Sequence, residues 1–190
     1  MHIGLYFGSF NPIHIGHLII ASYARHTTDL QQVWLVVSPQ NPLKPSKSLL
    51  NEYDRLHLIH KAIDDDPNLK VTDVEFKLSK PSYTVHTLAH LTEKYPQHSF
   101  SIIMGSDSFM NLTQWKNFDH IVKHYKIYIF KRTGFEVANH INANVTIMEA
   151  PILDISSTKI REMIKASIPI RYLVHDEVAK EIENSRYYKD

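Results

Sequence analysis

The sequence predicts an α/β fold, in which helices cover both faces of a mainly parallel, doubly wound sheet. Segments of strand character alternate with segments of helical period along most of the 190 residues, and this alternation is typical of parallel sheets. Val33–Val37 (VWLVV) is a continuous apolar run, as expected of a strand that is buried on both faces, and Phe100–Met104 (FSIIM) is of the same buried type. Apolar residues make up 43% of the chain, enough for one domain over residues 1–190 to bury a core.

Three strands and three helices are predicted in the first half of the chain. They are strand His2–Phe7, helix His14–His26, strand Val33–Val37, helix Glu52–Ile63, strand Leu69–Phe76 and helix Tyr83–Tyr95. Leu56, Ile59 and Ile63 recur at helical spacing and give the second helix one apolar face. Ser82 stands at the expected N-cap of the third helix.

The second half of the chain is predicted to add three strands and three helices. They are strand Phe100–Met104, helix Trp115–Lys123, strands Ile127–Phe130 and Val145–Met148, and helices Ser156–Ala166 and Asp176–Ser185. A cluster of hydroxyl residues opens the helix at 156–166, and the helix at 176–185 is amphipathic. Two strands in succession between 127 and 148 leave the exact topology open.

Composition excludes several classes of protein. Lys and Arg number 21 and Asp and Glu number 20, so the net charge of +1 provides no basic field for nucleic acid, although a local cluster could bind a small anion. The absence of cysteine excludes disulfides and thiolate zinc sites and fits a reducing compartment. The sequence has no signal-peptide pattern and no apolar run of about 18 residues. We therefore expect no membrane partner and a cytoplasmic location.

Candidate functional residues follow the ends of predicted strands. In open parallel sheets, ligands bind beyond the carboxyl ends of the strands. A loop beginning at Gly8 follows the first strand, a Pro-rich loop from Pro39 to Pro45 follows the second, and Gly105 follows a later one. We therefore expect a binding site at this edge of the sheet.

The segment GSFNPIHIGH, which begins at Gly8, joins the first strand to the first helix. The unpaired N–H groups of a helix start suit phosphate, and Gly8, with Ser9 and Phe10 after it, permits close approach of a ligand. His14 and His17 could donate hydrogen bonds to phosphate oxygens, most strongly where charge builds up in a transition state. As isolated features, the two histidines would fit an exposed helix surface better than a metal pair, because the chain has no thiolate and no obvious third ligand lies nearby.

This segment resembles the first signature of the His-x-Gly-His nucleotidylyltransferase superfamily. The resemblance is closest to the nicotinate-nucleotide adenylyltransferases and extends over roughly residues 3 to 185. Phe7 stands where that family usually has glycine, and Asn11 stands where it has aspartate. The resemblance implies a Rossmann-like fold and adenylyl transfer from ATP to nicotinate mononucleotide. The products would be nicotinate adenine dinucleotide (deamido-NAD) and pyrophosphate.

Residues 155–161 (ISSTKIR) resemble the second signature of the family, Ile-Ser-Ser-Thr-x-Ile-Arg. Hydroxyl and N–H groups at a helix start suit phosphate, and with the resemblance they imply that Ile155, Ser157 and Thr158 bind ATP. Arg161 would neutralise the leaving pyrophosphate. Without the first motif, this segment would fit a simple N-cap followed by a surface arginine.

The stretch from Gly105 to Trp115 resembles the family pattern Gly-x-Asp followed by Leu-x-x-Trp. Gly105 permits close approach of a nucleotide, and Asp107 could accept hydrogen bonds from ribose hydroxyls. Trp115 offers a flat apolar face that could stack on the pyridine ring. The alternatives are a core position for Trp115 and a helix-capping role for Asp107.

Residues 81–88 (PSYTVHTL) are similar to the family segment Ser-Tyr-Thr-x-Asp-Thr-Leu. The resemblance implies that Thr84 and the backbone around it contact the nicotinate group. His86 replaces the usual aspartate, which puts that local contact in question.

The Pro-rich loop after the second strand carries a basic residue that reaches the phosphates in this family. Lys44 is the candidate here, and Lys47 is the alternative, because the loop lengths do not align without a gap. Arg55 matches a common arginine of the family, and we expect it to be structural.

The resemblance implies direct transfer catalysed by charge stabilisation, with no nucleophile from the protein. The catalytic residues would be His14, His17, Lys44 and Arg161, and Mg²⁺ would bind through the ATP phosphates. Nicotinamide mononucleotide and phosphopantetheine are alternative acceptors, and a nucleotide sensor without activity is the alternative of a different class. The sequence leaves open whether the chain forms a homo-oligomer and whether the loop at 39–50 closes over substrate.

Overall fold

The computed structural model of the chain describes residues 1–40 and 49–189. Six strands form one sheet in the order β3-β2-β1-β4-β5-β6, and every neighbouring pair is parallel. The strands are β1 (His2–Gly8), β2 (Gln32–Val37), β3 (Leu69–Thr72), β4 (Ser99–Gly105), β5 (Ile127–Phe130) and β6 (Val145–Met148). This order is that of a Rossmann-like sheet, so the predicted fold class is confirmed.

Seven α-helices accompany the sheet in the described part of the chain. They are α1 (Ile15–Thr27), α2 (Glu52–Ile63), α3 (Thr84–Lys94), α4 (Ser106–Met110), α5 (Phe118–His124), α6 (Ser157–Lys165) and α7 (Asp176–Asn184). None of the helices in residues 1–40 and 49–189 is both long and apolar enough to cross a membrane.

Two predicted boundaries were wrong by three residues or more, and one helix was missed. The strand predicted at 69–76 ends at Thr72, and Val74–Lys77 forms a 3₁₀ turn instead. The helix predicted to begin at Trp115 begins at Phe118, because Asn117 has a left-handed backbone (φ 52°) at its N-cap. Helix α4 was not predicted, since five residues are too few for a helical period to be recognised.

The two faces of the sheet each carry their own core, as the doubly wound prediction requires. Side chains alternate along β2: Val33 and Leu35 pack in one cluster with α1, α2, α6 and α7, whereas Trp34 and Val36 pack in the other with α3 and α5. The run VWLVV is therefore apolar throughout because both of its faces are buried.

Register places the ends of the central strands at one edge of the sheet. Gly8 at the end of β1 lies beside Val37 of β2, and Gly105 at the end of β4 lies beside Phe130 of β5. The loops that leave these strands therefore start side by side. β6 also pairs parallel to β5, and residues 131–144 between them contain no helix, which resolves the topology left open by the sequence.

Candidate active site

A tight loop carries the chain from β1 into α1. Phe10 is 1% exposed and has a positive φ of 45°. Its ring lies so close to Gly8 that a Cβ atom there would be 2.8 Å from Phe10 Cζ. Gly8 is therefore required by packing of the Phe10 ring, in addition to any approach of a ligand.

The two motif histidines stack at the start of α1. His14 is the N-cap rather than a helical residue, and its ring lies 3.7 Å from that of His17 at an interplanar angle of 25°. The backbone N–H of His14 donates to His17 Nδ1 over 3.3 Å. Because Nδ1 accepts, a neutral His17 carries its proton on Nε2. That N–H is the group with which His17, which lines a cavity, can donate to a ligand.

Both histidines are held in the neutral form near pH 7. Burial, and secondarily the Arg132 guanidinium, lowers the pKa of His14 to about 4. Burial, and then the neighbouring His14 and Arg132, holds the pKa of His17 well below its ordinary value. The Nδ1 atom of His14 is buried and has no hydrogen-bond partner among the described residues. In the neutral form each ring still has one N–H group that can donate to a phosphate oxygen.

An ion pair stands beside the histidines at the ends of β4 and β5. Arg132 Nε lies 3.3 Å from Asp107 Oδ1. Gly105 makes room for this pair, since a Cβ atom there would lie 2.4 Å from Asp107 Oδ1 and 2.9 Å from Arg132 Nε. Asp107 is in the first turn of α4. Sequence reasoning missed Arg132, although it follows β5 at the same edge of the sheet and the rule used for Gly105 would have found it.

The second motif packs against the first. Ser156 is the N-cap of α6, and Ser157 Oγ donates to the carbonyl of Pro12 over 2.9 Å. Arg161 Nη1 donates to the carbonyl of Asn11 over 2.7 Å, and its Nη2 donates to Thr158 Oγ1 over 3.3 Å. Ile155 also lies near the loop, with its Cβ 3.9 Å from where a Cβ on Gly16 would be. These residues therefore contact the loop between β1 and α1 that carries the two histidines (the histidine loop). They do not line the cavity that His17 faces.

The cavity has a volume of about 710 Å³ and joins two groups of predicted site residues. At the end near β1 and β4 it is lined by Gly8, Ser9, Phe10, His17, Gly105 and Asp107. Thr84 and Trp115 line its other end. The structure thus brings the predicted ATP end and the predicted mononucleotide end into one continuous space. Trp115 is partly buried and also packs on the core, so the core alternative describes part of its environment.

The mononucleotide end contains groups that sequence reasoning missed. Tyr83, rather than the predicted Ser82, is the N-cap of α3, because the Ser82 hydroxyl donates to the buried carboxylate of Glu75 instead. Lys116 Nζ lies 4.6 Å from the centre of the Tyr83 ring, and both residues line the cavity. His86, in place of the family's aspartate, packs edge-on against Tyr83 with ring centres 5.7 Å apart.

Arg55 organises the loops around the ATP end. It is 0% exposed, and its guanidinium donates to the carbonyls of Ser9, Ser38 and Pro39. It thereby joins the loops after β1 and β2, which is the structural role expected of it. The phosphate-binding lysines predicted in the next segment, Lys44 and its alternative Lys47, lie outside the described residues.

Residues 5–163 match the profile of the cytidylyltransferase-like family. A protein of Flavobacterium psychrophilum is 50% identical over 192 residues, and one of Cytophaga hutchinsonii is 48% identical over 193 residues. Each match covers 100% of both chains, and both relatives carry the name probable nicotinate-nucleotide adenylyltransferase.

Solved structures share the fold. Plasmodium falciparum nicotinic acid mononucleotide adenylyltransferase in complex with NaAD aligns with a TM-score of 0.82 over 98% of this chain and 97% of its own. The same protein in complex with APC aligns with a TM-score of 0.83 over 98% and 96%. Identity is 20% in both comparisons, so this likeness concerns the Rossmann-like fold alone.

Proposed function

This chain belongs to the cytidylyltransferase-like family, and on that premise we propose that it joins the adenylyl group of ATP to nicotinate mononucleotide. The products are nicotinate adenine dinucleotide and pyrophosphate, in the biosynthesis of NAD. The observation that carries the proposal is the continuous cavity between His17 and Trp115, in a chain whose full-length relatives are named for this activity. The APC complex and the NaAD complex of the Plasmodium falciparum fold relative fit the same ligand classes.

In the proposed reaction an oxygen of the mononucleotide 5′-phosphate attacks the α-phosphorus of ATP in line. The new P–O bond forms as the bond to the leaving pyrophosphate breaks, and no covalent intermediate with the protein is needed. His17 donates its Nε2–H to the phosphate oxygens on which negative charge grows, and His14 lies stacked beside it. Because the two rings are already stacked, this donor needs little reorientation during the reaction.

The remaining ATP contacts are assigned from position and charge. Gly8, Ser9, Phe10 and Gly105 would surround the nucleotide with backbone, and Asp107 would accept from ribose hydroxyls. Ile155, Ser157, Thr158 and Arg161 would meet the phosphates from the α6 side. To do so, Ser157 and Arg161 exchange their present bonds to the carbonyls of Pro12 and Asn11 for phosphate oxygens. Lys44 is proposed to neutralise the leaving group.

Nicotinate is favoured as the acceptor base by the groups at the far end of the cavity. Trp115 supplies a flat face for the pyridine ring, and Thr84 starts α3 where N–H groups are unpaired. The Lys116 ammonium stands over Tyr83 at the same end. A carboxylate on the base would be attracted by this charge, whereas an amide would not.

Mg²⁺ is proposed to enter with ATP. Nucleotidyltransferases of this family generally use a divalent metal with ATP, and the metal supplies neutralisation of phosphate charge. In the described part of the chain, no three His, Asp or Glu residues lie close enough to hold an ion by themselves. This arrangement fits an ion that is held by ATP phosphates and water.

The test is pyrophosphate release from ATP and Mg²⁺ with nicotinate mononucleotide, nicotinamide mononucleotide or phosphopantetheine as acceptor. We expect strong release with the first alone. Preference for either other acceptor would retain the chemistry and refute the assignment of the acceptor. If folded protein that still binds ATP releases no pyrophosphate with any of the three acceptors, a nucleotide sensor would be favoured.

A further inference from the structure

Glu75 is a buried carboxylate at the acceptor end of the cavity, and no step of the proposed reaction uses it. It lies in the 3₁₀ turn Val74–Lys77 after β3, is 2% exposed, and lines the cavity. Its Oε2 accepts from Ser82 Oγ over 2.7 Å, and its Oε1 accepts from Thr87 Oγ1 over 2.8 Å. No Lys, Arg or His among residues 1–40 and 49–189 forms an ion pair with it.

The two hydroxyl donors stand on either side of the residues that face the acceptor. Ser82 precedes the N-cap Tyr83, and Thr87 lies in the first turn of α3, so Thr84 is between them. One carboxylate therefore fixes both sides of the helix start. Thr87 Oγ1 also lies 3.5 Å from the carbonyl oxygen of Tyr83, a contact within the first turn of the helix.

Attachment of α3 to the sheet does not depend on Glu75. Val85, Leu88 and Leu91 are at most 8% exposed and already pack the helix into the core. In the part of the chain that the structure describes, two hydroxyl donors compensate this carboxylate and no cation does, and such a group is expensive to bury. A group with that cost at the wall of a binding cavity indicates a role in the shape of the cavity.

We propose that Glu75 is a positioning residue for the mononucleotide acceptor. By holding Ser82 and Thr87 together, its carboxylate sets the orientation of the α3 start, and hence of Thr84 and the adjacent backbone N–H groups, toward the acceptor base. The inference rests on the proposed function, because it names the residue that shapes the acceptor half of that site. Glu75 acts through Ser82 and Thr87 and touches no reacting atom.

The experiment compares steady-state kinetics of the full chain with Glu75→Ala, Glu75→Gln and Thr87→Val, varying each substrate separately. Loss of hydrogen bonds to a charged group should raise KM for nicotinate mononucleotide about tenfold in Glu75→Ala. KM for ATP should change less than about twofold, because the ATP end shares no contact with Glu75. Glu75→Gln, which keeps one acceptor oxygen, should recover part of the loss, and Thr87→Val should show an intermediate effect.

A matched control is Glu52→Gln, which removes the exposed ion pair between Glu52 and Lys80 (2.8 Å) near the same segment. It should leave both KM values unchanged. If Glu75→Ala fails to fold, the KM values of Glu75→Gln and Thr87→Val test the inference instead. Equal changes in both KM values, or a lower Tm with both KM values unchanged, would overturn the inference.

The wild-type chain separates the two proposals. Absence of turnover with nicotinate mononucleotide in the wild type would refute the proposed function, and with it the inference about this acceptor. Normal turnover in the wild type together with a normal acceptor KM in Glu75→Ala would refute the inference alone.

Discussion

The two ends of the cavity are built differently. At the ATP end the histidine loop is held by long-range bonds to its backbone: Arg55 reaches the carbonyl of Ser9, Arg161 that of Asn11, and Ser157 that of Pro12. At the acceptor end one carboxylate, Glu75, holds the helix start through two hydroxyls, and the exposed Lys116 rests on the Tyr83 ring. The end assigned to the chemistry is held through its backbone, and the end assigned to recognition is held through side chains. Substitutions at the first should therefore impair turnover or the use of ATP, and those at the second should impair binding of the acceptor.

The largest expected effect is that of His17→Ala on the ATP end. Removal of a preorganised donor to the developing charge should lower kcat by about 10²–10³-fold. The circular dichroism spectrum should be unchanged, because the core residues of α1 remain. His26→Ala, on the exposed face of the same helix, is the matched control and should keep wild-type kcat. Near-normal turnover in His17→Ala would refute the role given to this end.

Acid should lower the free energy of unfolding of the chain through His14, which lies at the ATP end. The folded pKa of about 4 lies below the ordinary value of 6.5, so between these values the unfolded chain binds more protons than the folded chain. The free energy of unfolding should then fall as pH decreases from 6.5 through 4. This one group contributes a loss of about 3 kcal/mol at pH 4.

Urea titrations of the wild type and His14→Gln measure this contribution as the difference between their pH dependences. His90→Gln, at an exposed position of α3, serves as the control and should follow the wild type. Parallel curves for the wild type and His14→Gln would show that His14 titrates normally.

Gly105→Ala tests the packing at the ATP end. The added methyl would lie 2.4 Å from Asp107 Oδ1 and 2.9 Å from Arg132 Nε, so the ion pair must move. We expect KM for ATP to rise about tenfold, since a displaced Asp107 loses its contact with the ribose. Ser99→Ala, at the exposed opposite end of β4, should leave KM unchanged. An unaltered KM for ATP in Gly105→Ala would argue against ribose binding by Asp107.

Lys116→Gln should produce the smallest and most selective effect, at the acceptor end. Lys116 is exposed, and loss of one exposed attraction should raise KM for nicotinate mononucleotide about fivefold. KM for nicotinamide mononucleotide should stay the same, because the amide carries no charge. Lys123→Gln, on an exposed position of α5, is the control of equal charge. An equal change in KM for nicotinate mononucleotide and nicotinamide mononucleotide would show that Lys116 does not interact with the carboxylate.

Prediction from sequence succeeded where the signal is local. The runs VWLVV and FSIIM identified β2 and β4 because burial on both faces leaves few polar positions in a strand. The glycine and histidine segments were located at strand ends, and the parallel sheet then required those ends to share an edge. Ser82 was wrongly assigned as an N-cap, because its side chain bonds Glu75, seven residues earlier and beyond the reach of local capping rules.

By itself, the sequence determined the α/β class, the sites of most elements and eight residues that line the cavity, since each depends on periodicity, on a motif beside a strand end or on the family resemblance. Only the tertiary structure decided the register of the strands, the Asp107–Arg132 pair, the Glu75 network and the bonds of α6 to the histidine loop. Those last bonds join residues 145 and 150 positions apart. The physical reason is that packing of whole helices and strands sets such contacts, and no residue near either partner encodes the distance between them.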